Sequence, residues 1–130
     1  MFCIARKARP AVVMTALVCI LFGMSTLSYA DAKNGDLIQM LGSENRGWRY
    51  SSARLLGERR VEEAVEPLIE QLQMEKDYSV RIVIAQALHK IGDPQAIHAL
   101  KKVAKTDKNR TVRHMAAVIV ADMEKLAYNP

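Results

Sequence analysis

The chain has 130 residues, half of them apolar, with 19 Lys and Arg against 14 Asp and Glu. That length suits one domain. Of the +5 net charge, three units belong to Arg6, Lys7 and Arg9, which have no acid beside them in residues 1–30; the +2 left over is an ordinary solvated surface and excludes a nucleic-acid footprint.

Residues 1–30 read as a secretory signal peptide. MFCIARKARP is a basic start, AVVMTALVCILFGM is an uncharged apolar run, and Ser28 and Ala30 are small residues placed for a cut after Ala30. The competing reading is a retained membrane anchor, but the run falls short of the roughly 20 apolar residues a spanning helix needs. Lipid attachment at Cys19 fits less well, because Val18 precedes it. The mature domain is therefore expected to be residues 31–130. Both cysteines, Cys3 and Cys19, lie in the leader. The mature chain has no thiol for catalysis, zinc binding, a disulfide or a thioether, and packing alone must hold it together.

The rest of the chain repeats with a period of 32 residues. Asn45, Asp77 and Asn109 begin the copies; Arg49, Arg81 and Arg113 follow four residues later. Ala53, Ala85 and Ala117 come next, then Leu56, Leu88 and Val120. Asn and Asp cap helix N-termini by accepting a first-turn backbone N–H. Apolar residues three and four apart then mark one helical stripe. The spacing predicts helices over about 46–57, 78–91 and 110–126, with the Ala column marking close helix–helix approach. These are the B helices.

An A helix precedes each. DLIQML offers Leu37, Met40 and Leu41. VEEAVEPLIEQLQ sets Val61, Ala64, Val65, Leu68 and Leu72 on one face; PQAIHALKKVAK does the same with Ala96, Ile97, Leu100 and Val103. Between the second B helix and the third A helix, Gly92 supplies a left-handed stop, Asp93 a cap and Pro94 a first-turn residue. A lone helical hairpin cannot bury its apolar face, so such units must stack. The fold expected is all-α: a short α-solenoid of about three stacked antiparallel helix pairs.

The stretch VRIVIAQALHKIGDPQAIHALKKV, through Val80, Arg81, Ala85, Ala87, Leu88, Ile91, Gly92, Asp93, Ala96 and Leu100, resembles a HEAT repeat. It is more closely similar to the HEAT-like subclass first associated with phycobilisome lyases. Val112, Arg113, Ala116 and Ala117 continue the likeness, and Arg49, Ala53, Leu56 and Gly57 retain part of it, over about residues 36–126. The resemblance implies an α-solenoid used mostly for protein–protein binding. His89 departs from the pattern, which usually has Gly there, so the second B helix is expected to extend or pack differently. Chromophore-lyase chemistry has no cysteine to act through.

Other polar features read as structural. The Arg49, Arg81 and Arg113 column is expected to bridge to Asp, Asn or backbone carbonyls of the adjacent repeat rather than to catch anionic ligands. His89, His98 and His114 lack ligand spacing, and the methionines read as core filler. Glu62, Glu63, Glu66 and Glu70 form a solvated face. Lys101, Lys102, Lys105, Lys108, Arg110 and Arg113 form a basic rim, with an anionic surface as the functional alternative. No catalytic residue, metal site or cofactor is assigned.

The B-helix face is the exception. The positions that usually line the concave side with polar groups hold Tyr50, Ser51 and Arg54, then Ile82, Val83 and Gln86, then His114, Met115 and Val118. Apolar groups at adjacent levels would form an interaction patch, unless tight curling buries them. HMAAVIVA in the last helix is apolar nearly all round, where a terminal repeat should be polar outside. The reading is an exported, periplasmic, non-catalytic scaffold that binds a protein partner through Tyr50, Arg54, Ile82, Val83, Gln86, His114, Met115 and Val118. Nucleic acid is not a partner, and the membrane is one only through an uncleaved leader. The alternatives are an accessory or chaperone-like subunit of an envelope enzyme or cofactor pathway, and a self-associating homodimeric module.

Overall fold

The structure, a computed structural model, describes residues 33–128. The expected leader and its cut after Ala30 lie outside the described residues. Residues 33–40 form α1, followed by α2 (Arg46–Glu58), α3 (Val65–Met74), α4 (Tyr78–Ile91), α5 (Gln95–Thr106) and α6 (Arg110–Tyr128). The described part is all-α, a short solenoid of three helix pairs. The A helices are α1, α3 and α5; the B helices are α2, α4 and α6.

Cap chemistry sets the B-helix starts. Asn45 accepts the Gly47 N–H at 2.8 Å, Asp77 the Ser79 N–H at 2.9 Å, and Asn109 the Thr111 N–H at 2.8 Å. Each satisfies a donor that has no partner within its helix. At the end of α4, Gly92 takes φ +79° and donates its N–H to the Leu88 carbonyl. Asp93 then accepts the Gln95 N–H at 2.8 Å and opens α5. In the first pair, 32 residues earlier, Arg60 holds the left-handed conformation with φ 52°.

The second A segment is not one continuous helix. A 3-10 turn at Glu62–Ala64 precedes α3. This places Pro67 in the first α-helical turn, where its missing N–H breaks no hydrogen bond.

The expected apolar columns form one core. Leu37, Leu41, Val61, Ala64, Val65, Leu68, Leu72, Ala96 and Leu100 from the A helices meet Leu56, Ile84, Leu88, Ile119 and Val120 from the B helices. Each large aliphatic side chain so buried contributes about 1.5–3 kcal/mol. The Ala column departs from expectation. Ala53 and Ala85 are buried because the next B helix covers them, whereas Ala117 on α6 is exposed and Ala116 faces inward instead. The HMAAVIVA run is likewise less bare than its composition suggests, since Ala116, Ile119 and Val120 point into the core.

The B helices lie side by side, and α2 packs along α4 more extensively than α4 along α6. Gly57 explains the first contact: a Cβ built there would lie 2.6 Å from Ala87 Cα. His89 stands at the equivalent place on α4 and meets Asp122 of α6 at 2.7 Å. A ring in place of a hydrogen atom holds those two helices further apart. The helix ends at Ile91, so the departure at His89 alters packing and not length.

Candidate functional site

Two surfaces can be built from the repeat: the edge where the loops from A to B helices meet the B helices, and the open face of the B helices.

At the edge, Arg49 clasps Glu75 through Nε–Oε2 at 2.7 Å and Nη2–Oε1 at 3.0 Å. Its Nη1 donates to the carbonyls of Ser43 and Glu44, both at 2.9 Å. Arg81 repeats this one level on. It clasps Asp107 at 2.7 and 2.9 Å and donates Nη1 to the carbonyls of Glu75 and Lys76 at 3.1 and 2.9 Å. The fork geometry of guanidinium suits bidentate carboxylate pairing. Arg81 is only 4% exposed, so the pair is removed from water and must be fully satisfied.

The carboxylates are tuned by these contacts. Burial pushes the Glu75 carboxyl up, but hydrogen bonds from Arg49, the Asp77 N–H and Gln71 outweigh it and hold the group below its ordinary value. Burial likewise raises Asp107, and the bonds from Arg81 and the Asn109 N–H, with the charges of Arg81 and Lys108, bring it below normal. Both stay ionised at neutral pH. This is an interlocking device between repeats, as expected for the Arg column, and both ends of each pair are occupied by the fold itself.

On the B-helix face, contacts between successive helices join residues about one repeat apart. Arg46 meets Ser79 at 2.6 Å and Asp77 at 2.9 Å, and His89 meets Asp122. Equivalent positions therefore come side by side. Tyr50, Ile82 and His114 make one row across the stack; Arg54, Gln86 and Val118 make the next, one turn further along.

The HEAT repeat family model matches residues 35–120. The chain belongs to the HEAT repeat family. A comparison with curated proteins returned no match.

Within this HEAT stack the expected contact residues divide. Tyr50, Arg54, Gln86, His114 and Val118 are exposed, with Val118 at 52%. Arg54 lies 3.6 Å from Glu58, one turn along the same helix. Ile82 and Met115 are half-buried, and Met115 packs against the core. Val83 leaves the set: it is 6% exposed and belongs to the core. It lies one turn before Ala87, on the side of α4 that the Gly57 contact brings against α2. The apolar patch inferred from Ile82, Val83, Met115 and Val118 is thus reduced to Val118 with partial help from its neighbours.

Two aromatic residues were missed. Tyr78 is exposed and begins the same stripe one turn before Ile82, in the column of Arg46 and Arg110. Its i−4 relation to Ile82 was the available signal. Trp48 stands in the column of buried Val80 and Val112, yet is 54% exposed. At the start of the stripe, Arg46, Gly47, Tyr50, Ser51 and Ser79 line a shallow recess. Among the described residues no three metal-ligating side chains converge.

Proposed function

We propose that this HEAT-repeat chain is an exported, non-catalytic scaffold that docks a segment of a protein partner along its B-helix face. The observation that carries this is the exposed double row of Tyr50 and His114 beside Arg54, Gln86 and Val118. It mixes an aromatic ring, an arginine, an amide and an aliphatic side chain across three helices. Aromatic and arginine side chains are the anchors that interfaces favour. Ile82 and Met115 would deepen the contact from half-buried positions, and Tyr78 extends it toward the helix starts.

Export is part of the proposal and rests on residues 1–30: the basic start, the short apolar run, and Ser28 and Ala30 ahead of the cut. Residues 31–130 would then work in a periplasm-like compartment, where a cysteine-free domain suffers no mispairing of thiols. The finer likeness to the phycobilisome-lyase subclass is proposed for the repeat geometry alone.

Affinity capture from envelope extract tests the reading, using residues 31–130 beside Arg54→Glu/Val118→Glu. Both substitutions are at exposed positions, so equal helicity and melting are expected. Binding of a partner that is lost with the charged face supports the proposal. The same capture by both forms contradicts it. A mass that rises with concentration, and falls back in the variant, shows that the face closes a homodimer instead.

A further inference from the structure

Three arginines stand in one column, and each is aimed by the same contact. Nη1 of Arg49 donates to the Ser43 carbonyl, that of Arg81 to the Glu75 carbonyl, and that of Arg113 to the Asp107 carbonyl at 2.7 Å. In each case the acceptor lies six residues earlier. The guanidinium of Arg113 is therefore set as the other two are. For Arg49 and Arg81 the remaining edge, Nε with Nη2, is filled by a carboxylate 26 residues later. Among the described residues, Arg113 has no carboxylate within ion-pair distance and no acceptor on that edge.

The surroundings repeat the pattern. Ala53 and Ala85 are covered by the next B helix, and the third of the column, Ala117, is exposed with Ala121 one turn on. Lys108, Arg110 and Lys125 lie exposed around this face of α6, with one acid, Glu124, which Lys101 already holds. A positively charged face with an oriented, unfilled arginine edge calls for an acidic occupant.

We propose that the outer face of α6 docks an acidic helical hairpin of another protein, seated as a further repeat, whose loop carboxylate takes Arg113 as Glu75 takes Arg49. A second copy of this chain does not fit the role. Its first A-to-B loop has Ser43 at the position of Glu75 and Asp107. All three accept the N–H two residues on, at 3.2, 2.9 and 2.8 Å. A serine brings no charge to Arg113. This surface borders the B-helix rows at Arg110 and His114, but its key contact, Arg113, does not belong to them.

The probe is a synthetic peptide of residues 61–92. It carries Glu75 in its loop, holds six acids against three bases, and is the unit that stacks on α2 within the chain. It is titrated into isotopically labelled residues 31–130 at low salt, beside a Glu75→Gln peptide, and read by NMR at the Arg113 Nε–H and the Ala117 and Ala121 amides. A free hairpin folds weakly, so each peptide is also joined to the C-terminus by a flexible linker, which brings it to millimolar local concentration. Shifts at those three sites, with binding about tenfold or more weaker for the Gln peptide, are the expected result, since hydrogen bonds to charged groups have that weight. Shifts elsewhere, none in either form, or equal binding by both peptides overturn the proposal. So does self-association of the chain alone through Ala117, which would make the second copy the occupant.

Discussion

Gly57 and Ala87 mark the closest approach of α2 and α4: a Cβ on Gly57 would lie 2.6 Å from the Ala87 Cα and 2.8 Å from its Cβ. The atoms in the way are largely backbone, so they cannot swing aside. Gly57→Ala gains about 1 kcal/mol of helix propensity. Forcing the helices apart costs about 1–3 kcal/mol and loosens the packing around buried Leu56 and Leu88. The expected outcome is a net loss of stability, read as a lower urea midpoint. It also spreads the rows on the B-helix face, so partner affinity should fall with it.

The last two levels of the arginine column should differ sharply. Arg81→Met leaves the Asp107 carboxylate buried with its strongest partner gone, and about 3–5 kcal/mol of destabilisation is expected. Arg113→Met removes one hydrogen bond from a half-buried side chain, so about 1 kcal/mol is expected. Denaturant melts of the two variants measure the contrast. Equal losses would show that the Arg113 edge is already filled.

Acid should unfold the stack through its loops. Glu75 and Asp107 both titrate below their ordinary values in the folded state. Their contribution is therefore fully present above the unfolded values, about 4.3 for Glu and 3.9 for Asp. It is lost as pH falls through the lower folded values. Melting temperature should be flat from pH 7 to about pH 5 and fall below about pH 4. Asp107→Asn should flatten that acid slope while lowering the plateau at neutral pH.

Arg60 holds the left-handed conformation that Gly92 holds one repeat later. A side chain there costs about 1–2 kcal/mol. Arg60→Gly should raise stability by about 1 kcal/mol and leave binding on the B-helix face unchanged, which a melt beside the capture assay will show.

The architecture was legible because cap chemistry and a 32-residue period act locally and agree. Asn45, Asp77 and Asn109 mark the helix starts correctly, and the leucine columns mark the core. What was not legible depends on neighbours in space. Val83 reads as a surface residue until Gly57 lets α2 close against its side of α4. Ala117 reads as buried by analogy with Ala53 and Ala85, but α6 has no following helix among the described residues. The ion pairs were expected only in kind, because the acids differ, Glu75 in one loop and Asp107 in the next. The break before Pro67 was missed because apolar periodicity ran straight through it.

Oxidative footprinting of the partner-bound chain tests the central claim most directly. Tyr50, His114 and Met115 lie on or beside the B-helix rows; Met74 and Tyr128 are exposed away from them. The account predicts that partner binding slows oxidation of the first three and leaves the last two unchanged. Protection of Met74 or Tyr128, with Tyr50 and His114 as reactive as in the free protein, would contradict it.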